Sequence, residues 1–179
     1  RSNLSVVMQE PFLYSRSLME NLAMGRDGAE EREIVEATTV ASIHDSIMEF
    51  EEGYSTVVGE RGLTLSGGQR QRLSIARALL RDPAVLVLDD ALSAVDTKTE
   101  RAILAALNDR KHRHTTILIA HRLTTVMQAD EVLVLDQGRI VDRGSHDELL
   151  KRQGIYRRFW DIQHKGMDSL DDGSSGGSA

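Results

Sequence analysis

The sequence predicts an α/β fold, a parallel sheet core that carries an inserted helical segment. Three observations lead there. Short, largely apolar runs at Leu4 to Met8, Ala84 to Leu88 and Thr116 to Ala120 read as strands, and the second is the unbroken apolar pattern of a parallel strand buried on both faces. Each run gives way to a polar residue, Gln9, Asp89 or His121, where parallel sheets gather their ligands. Residues 11–82, between the first run and the second, are mostly helical in periodicity.

In chain order, the first strand runs into Gln9-Glu10-Pro11, where Pro11 lacks a ladder donor and biases Glu10 away from helix. Residues 17–24 and 30–50 have helical spacing, with Ile34, Val35, Thr38, Ile43 and Ile47 on one face. Gly53 and Gly59 punctuate a loop leading to Leu65, and Ser66 then caps a helix through Arg70, Leu73, Ile75, Ala76 and Leu79 to Arg81. After Asp82-Pro83 come the strand to Leu88, a helix from Thr97 to Asp109, the strand to Ala120 and a helix over 122–128. Glu131 to Leu135 and Ile140 to Arg143 form a hairpin about Asp136-Gln137-Gly138-Arg139, and helices over 145–152 and 154–164 follow. The expected divisions are 1–10, the end of a core strand and its loop; 11–82, the helical segment; 83–165, the α/β core; and 166–179, a tail whose Gly/Ser run over 173–179 reads as a flexible linker.

Composition narrows the function classes. The 179 residues carry a net charge of −6, which argues against nucleic acid or an anionic membrane face as partner. The basic stretch Arg110-Lys111-His112-Arg113-His114 fits a solvated helix end. There is no cysteine, so disulfides, thiolate zinc sites and cysteine nucleophiles are excluded, in keeping with a reducing cytosol. No apolar run approaches the roughly 20 residues that cross a bilayer.

Three constellations carry chemistry. In Leu65-Ser66-Gly67-Gly68-Gln69-Arg70-Gln71-Arg72, two glycines after an N-cap serine leave backbone N–H groups uncovered at the positive end of a helix dipole, an anion site by construction. In Val85-Leu86-Val87-Leu88-Asp89-Asp90, a carboxylate at the C-terminal end of a buried strand suits Asp89 to hold Mg²⁺ against nucleotide phosphates. Two acids capping the next helix are the plainer alternative, and Asp96 in Ser93-Ala94-Val95-Asp96 fits the N-cap of the helix from Thr97. His121 just past a strand is suited to hydrogen-bond a γ-phosphate or a developing charge, and the Gln9 amide to ligate Mg²⁺ or orient water. Gln9, Asp89, Asp90 and His121 thus converge on one sheet edge, the pattern of a phosphoryl-transfer site.

With these residues in view the chain resembles the cassette of an ABC transporter from about Leu4 to Gln163, a P-loop NTPase core with an inserted helical subdomain. Gln9 resembles the Q-loop glutamine, Ser66 to Gln69 the signature motif and Ala84 to Asp89 Walker B. Ser93 to Asp96 resembles the D-loop and His121 the switch histidine. Thr56-Val57-Val58-Gly59-Glu60-Arg61-Gly62 resembles the segment that touches coupling helices in exporters. Phe12-Leu13-Tyr14-Ser15, Asn21-Leu22 and Val141 to Leu150 are exporter-like as well. The resemblance implies ATP and Mg²⁺ as cofactors, and a head-to-tail dimer in which Ser66, Gly67, Gly68, Gln69 and Asp96 serve nucleotide at the interface. Asp89 and Gln9 would meet the metal, and Asp90, His121 and Gln9 would serve hydrolysis. It further implies a second cassette and transmembrane domains as partners, a place at the cytoplasmic face of the cell membrane, and export of a multidrug or lipid-like substrate. A soluble ABC ATPase and a regulatory ATP-binding cassette are the alternative readings.

Two departures stand out. No G-x-x-x-x-G-K-[ST] occurs, so the phosphate cradle is expected upstream of Arg1 and the chain alone is expected to bind ATP poorly and to be inactive. Asp90 stands where the family usually has glutamate, one methylene longer by about 1.5 Å, and a misplacement of about 1 Å can cost on the order of a hundredfold in rate. That resembles the degenerate-site subunit of heterodimeric exporters, whose signature completes a different partner's site.

Overall fold

The computed structural model describes residues 3–59, 64–110 and 114–171, with side chains through 163. Within it the chain separates into two compact units, Arg1–His121 and Arg122–Ala179. The first holds β1 (Leu4–Val7), α1 (Leu18–Ala23), α2 (Glu31–Val40), α3 (His44–Met48), α4 (Gly67–Leu79), β2 (Val85–Asp89), α5 (Thr97–Asn108) and β3 (Thr115–Ile119), with a single 3₁₀ turn at Gly53–Ser55. The three strands form a parallel sheet in the order β1-β2-β3. Val7 pairs with Leu88 and Leu88 with Leu118, so all three strands leave the sheet along one edge.

Strand parity divides the sheet. Ser5, Val7, Leu86 and Leu88 are buried on one face, in a core shared with Leu18, Leu22, Ile34, Ile47, Leu73, Ile75 and Ile103. Leu4, Val6, Ile117 and Ile119 share the other face and are exposed, with Val85 and Val87 half-buried between them. The expectation that β2 is buried on both faces is therefore met on one face only. The packing boundary at His121/Arg122 falls inside the segment 83–165 that the sequence groups together, and the helical segment shares one core with the sheet.

The expected helix over 30–50 is two helices. Ser42 adopts φ 52°, its N–H returns to the Thr39 carbonyl, and the Ile43 N–H returns to that of Thr38. These are the paired bonds of a Schellman stop, here with serine where glycine is usual, which is why the break is silent in the sequence. The Thr38 and Thr39 hydroxyls also bond back to the Ile34 and Val35 carbonyls, competing with the helix ladder. Ile34, Thr38, Ile43 and Ile47 are buried as expected, while Val35 is half-buried.

Helix α4 is the spine of this unit. Ser66 caps it, Gln71, Leu73, Ser74, Ile75, Ala76, Ala78 and Leu79 turn inward, and it packs on α1, α2 and β1. Gly25 lets the turn after α1 lie on α4, since a Cβ there would sit 2.2 Å from the Arg77 carbonyl oxygen.

The second unit holds α6 (Leu123–Val126), β4 (Val132–Asp136), β5 (Arg139–Gly144), α7 (His146–Lys151) and α8 (Ile155–Asp171). The expected hairpin forms, with Gln137 at φ 45° and Gly138 at φ 75°, the left-handed pair that a two-residue hairpin turn requires. Leu123, Val132, Leu149 and Tyr156 make its small core, and His146 accepts from or donates to the Tyr156 hydroxyl at 2.7 Å. Helix α8 continues to Asp171, beyond the expected end at 164. Among the described residues no helix is long and apolar enough to cross a membrane.

Substituting Gly25→Ala forces a backbone contact apart, and destabilisation of about 1–3 kcal/mol is expected in urea unfolding, with the midpoint lowered and the slope unchanged. An unchanged midpoint would show that the turn shifts freely away from α4.

Candidate functional site

Parallel register brings the sequence-predicted residues to one edge. Gln9 follows β1, Asp89 closes β2 with Asp90 next, and His121 follows β3. The Gln9 Nε2 donates to Asp90 Oδ2 at 3.1 Å, so these two side chains meet. Asp90 sits at φ 49°, a left-handed conformation that aspartate tolerates better than most residues, and its N–H donates to the Ile119 carbonyl at 2.8 Å. Asp89 is half-buried beside it, and His121 is exposed at the same edge.

The start of α4 forms the other half of the arrangement. The Ser66 hydroxyl accepts from the Gln69 N–H at 3.2 Å, and the Gln69 side-chain oxygen accepts from the Ser66 N–H at 2.9 Å. This capping box alters one expectation: the Ser66 N–H is covered by Gln69, and the orphan donors left to an anion at the helix start are those of Gly67 and Gly68. The glycines have a packing role too. A Cβ at Gly68 would lie 2.7 Å from the Ala94 carbonyl oxygen, and one at Gly67 would lie 3.3 Å from the Ala94 Cβ.

The segment leading from Asp90 to α5 therefore lies against the glycine-opened helix start. Asp96 caps α5, its Oδ1 accepting from the Thr99 N–H at 3.0 Å, as the plainer reading of the sequence has it. That bond, ahead of all other causes, holds the Asp96 carboxyl below the usual aspartate range. Burial pulls the Arg72 guanidinium below its ordinary value, opposed by the nearby Asp96 carboxylate. The Arg72 guanidinium also binds the Ser42 carbonyl, tying α4 to the Schellman stop after α2.

The residue that sequence reasoning passed over is Gln71. It is 4% exposed on the inward face of α4. Its Nε2 donates to the Gln9 carbonyl at 3.2 Å and to the Ser93 hydroxyl at 3.1 Å, and its Oε1 accepts from the Ala94 N–H at 2.9 Å. The Ser93 hydroxyl in turn donates to the Asp90 carbonyl at 2.8 Å. The available signal was a glutamine at an inward position of an amphipathic helix, where a polar group needs partners. Further along α4, Arg77 donates to the Phe12 carbonyl at 3.2 Å.

Chemically, a nucleotide's Mg²⁺ commonly takes one or two protein oxygens, the rest coming from phosphate and water. Asp89 and the Gln9 side-chain oxygen suit that role, the Gln9 amide nitrogen being turned to Asp90. The described residues hold no cluster of three or more metal-ligating side chains that would bind a metal unaided. Of the segment 56–62, Thr56 to Gly59 lie among the described residues, with Val57 exposed; positions 60–62, like 111–113 and the tail from 172, lie outside them.

This combination of a parallel sheet edge bearing Gln9, Asp89 and Asp90 and a glycine-opened helix laid against the next loop is the arrangement expected of an ATP-binding domain of the cassette class. The profile of the family described as ABC transporter matches residues 1–93, and the chain belongs to that family, in its ATP-binding domain. An ABC transporter ATP-binding protein of Bacillus subtilis, YknU, is 45% identical over 96% of this chain and 29% of its own length. ATP-binding cassette sub-family B member 6 of Mesocricetus auratus is 45% identical over 97% of this chain and 21% of its own. A solved bacterial Atm1-family ABC exporter with ATP bound superposes with a TM-score of 0.87 at 47% identity, over 91% of this chain and 29% of that one. The chain thus spans less than a third of the length of these relatives.

Because its folded pKa is depressed, Asp96 contributes stability that is whole above the ordinary aspartate value near pH 4 and is lost as pH falls through the folded value. Asp96→Asn keeps a capping oxygen but does not titrate, so thermal unfolding followed downward from about pH 5 should show a shallower acid limb than the parent. An identical limb would remove Asp96 from the acid response.

Proposed function

We propose that this chain is the ATP-hydrolysing part of a membrane exporter of multidrug or lipid-like substrates, acting as one half of a head-to-tail cassette pair. The observation that carries the reading is the Gln9–Asp90 hydrogen bond at the edge where β1, β2 and β3 end. It supports a kept half-site in which Asp89 and Gln9 hold the metal of MgATP, and Gln9, Asp90 and His121 face the γ-phosphate and the attacking water. The metal supplies charge neutralisation between the phosphates. Gln9 orients, Asp90 polarises water, and His121 donates to the charge that develops. The Gly67 and Gly68 N–H groups, with Ser66, Gln69 and Asp96 around them, form a second half-site lent to nucleotide on the partner cassette.

The phosphate cradle has no counterpart in the 179 residues, and the exposed Leu4, Val6, Ile117 and Ile119 face offers a seat for a segment that supplies it. In our reading this chain on its own shows no micromolar affinity for a fluorescent ATP analogue. Titration that found such affinity would place the cradle among these residues. Transmembrane domains of the same transporter are the second partner. Their contact is the surface around Val57, with Phe12 and Tyr14 exposed as an edge-to-face aromatic pair at 5.0 Å, on the cytoplasmic side of the membrane.

Asp90 marks the kept site as the slower one. Its carboxylate is a methylene short of glutamate and is engaged by the Gln9 amide, which favours a pair of unlike cassettes in which this chain completes its partner's site. Turnover at this site in the assembled transporter should rise on the order of ten- to a hundredfold with Asp90→Glu. Equal turnover at both sites in the parent complex would sink the unlike-pair reading. A parent complex that binds ATP with no turnover at either site would point instead to a regulatory cassette.

A further inference from the structure

Four residues at the sheet edge close a ring through their side chains and two backbone carbonyls. Gln71 Nε2 donates to the Gln9 carbonyl, and Gln9 Nε2 donates to the Asp90 carboxylate. The Ser93 hydroxyl donates to the Asp90 carbonyl, and Gln71 Nε2 donates to the Ser93 hydroxyl. A further bond, Ala94 N–H to Gln71 Oε1, uses the other end of the same amide. Gln71 thus grips from α4 both the loop after β1 and the loop after β2, across 62 and 22 residues of sequence.

Its position on α4 gives the ring its meaning. Gln71 lies one helical turn beyond Gly67, so it rides on the first turns of the helix whose start presents the Gly67 and Gly68 N–H groups. The same helix start touches Ala94, the residue whose N–H Gln71 receives. A buried, fully engaged amide has one low-energy placement, because each bond given up leaves a donor or acceptor without a partner away from water.

We propose that Gln71 is a positioning residue that fixes the Gln9 loop and the Asp90–Ala94 segment to the start of α4, so that the half-site this chain keeps and the half-site it lends hold one geometry. This rests on the function proposed above and adds to it a residue that touches neither nucleotide. Gln71 acts through Gln9 and Ser93 on the placement of Asp90. Loss of the Gln71 bonds alone removes no side chain proposed to face nucleotide and loosens how Gln9 and Asp90 are held.

The test uses the complete transporter that carries this sequence, with amide hydrogen exchange and ATP turnover read on the same variants. Gln71→Met keeps the length of the side chain and removes all three bonds. Exchange at the Ala94 amide and across residues 8–12 should rise about tenfold together, and kcat should fall about tenfold with KM for ATP within about twofold. Gln71→Glu still accepts from the Ala94 N–H and cannot donate to the Gln9 carbonyl, so Ala94 stays protected while residues 8–12 exchange faster. Ser93→Ala combined with Gln71→Met should add less than Ser93→Ala does alone, because the bond between Gln71 and Ser93 is already gone and the bond from Ser93 to the Asp90 carbonyl is the part still lost. Should Gln71→Met not fold, Gln71→Glu carries the same comparison through the split between residues 8–12 and Ala94. Exchange that rises only within α4, or equally everywhere, overturns the assignment, as does a loss of kcat and KM in proportion. A parent transporter without ATP turnover would defeat the functional reading, and the exchange pattern would still decide the role of Gln71.

Discussion

The closeness of helix α4 to the chain between Asp90 and Asp96 is the constraint on which the rest depends. With a Cβ at position 68 placed 2.7 Å from the Ala94 carbonyl oxygen, no side chain fits without displacing backbone. Glycine at this point does two things at once. It opens the helix start so that its N–H groups face outward, and it lets the loop from β2 lie against that start. The Ala94 N–H can then reach Gln71 one turn further in, and the Ser93 hydroxyl is brought between Gln71 and the Asp90 carbonyl. Remove the close approach and the bonds that orient Gln9 and Asp90 lose their common anchor.

That anchor is polar, and it sits within an apolar surround. Leu73, Ile75, Ala76, Ala78 and Leu79 are buried on the same helix as Gln71, with Ser74 the other buried polar residue among them. Each of its bonds contributes about 1 kcal/mol net, a modest sum beside the burial of the aliphatic core, but leaving one unmade costs about 1–3 kcal/mol. The asymmetry favours specificity over stability. The aliphatic residues make the helix and sheet cohere, while the amide selects the relative placement in which every polar group is satisfied. Arg77 to Phe12 and Arg72 to Ser42 extend the same principle along α4, each tying a loop carbonyl to the helix by a half-buried cation.

Much of this was legible in the sequence, for identifiable reasons. The strands announced themselves because their apolar runs end in turn or polar residues, the hairpin because Asp136-Gln137-Gly138-Arg139 reads as a turn between two strand patterns, and α4 because Ser66 is an N-cap residue ahead of a helical apolar pattern. The break between α2 and α3 was not legible, because its left-handed residue is Ser42 and not glycine. The Ser66 cap was visible, whereas the Gln69 side chain folded back on the Ser66 N–H appears only in the structure. Gln71 was silent as a single letter. Its meaning lies in contacts 62 and 22 residues away, which no local periodicity encodes.

One mismatch between pattern and structure is informative in itself. Leu4, Val6, Ile117 and Ile119 are apolar residues on the sheet face opposite the shared core, with Val87 between them, and all are open or half-open. A sheet with one wet face alternates apolar with polar residues, whereas a parallel sheet covered on both faces is apolar throughout. Apart from Thr115 at the start of β3, the strands here follow the second rule on a surface that is open. At about 25 cal/mol for each Å² removed from water, covering such a face is strongly favourable. The strands that present it also carry Gln9 and Asp89 at their ends, so whatever covers this face lies beside the edge where those residues gather. In the function proposed above, a phosphate-binding segment seated on this face would stand beside Gln9 and Asp89, the residues proposed to hold the metal of MgATP.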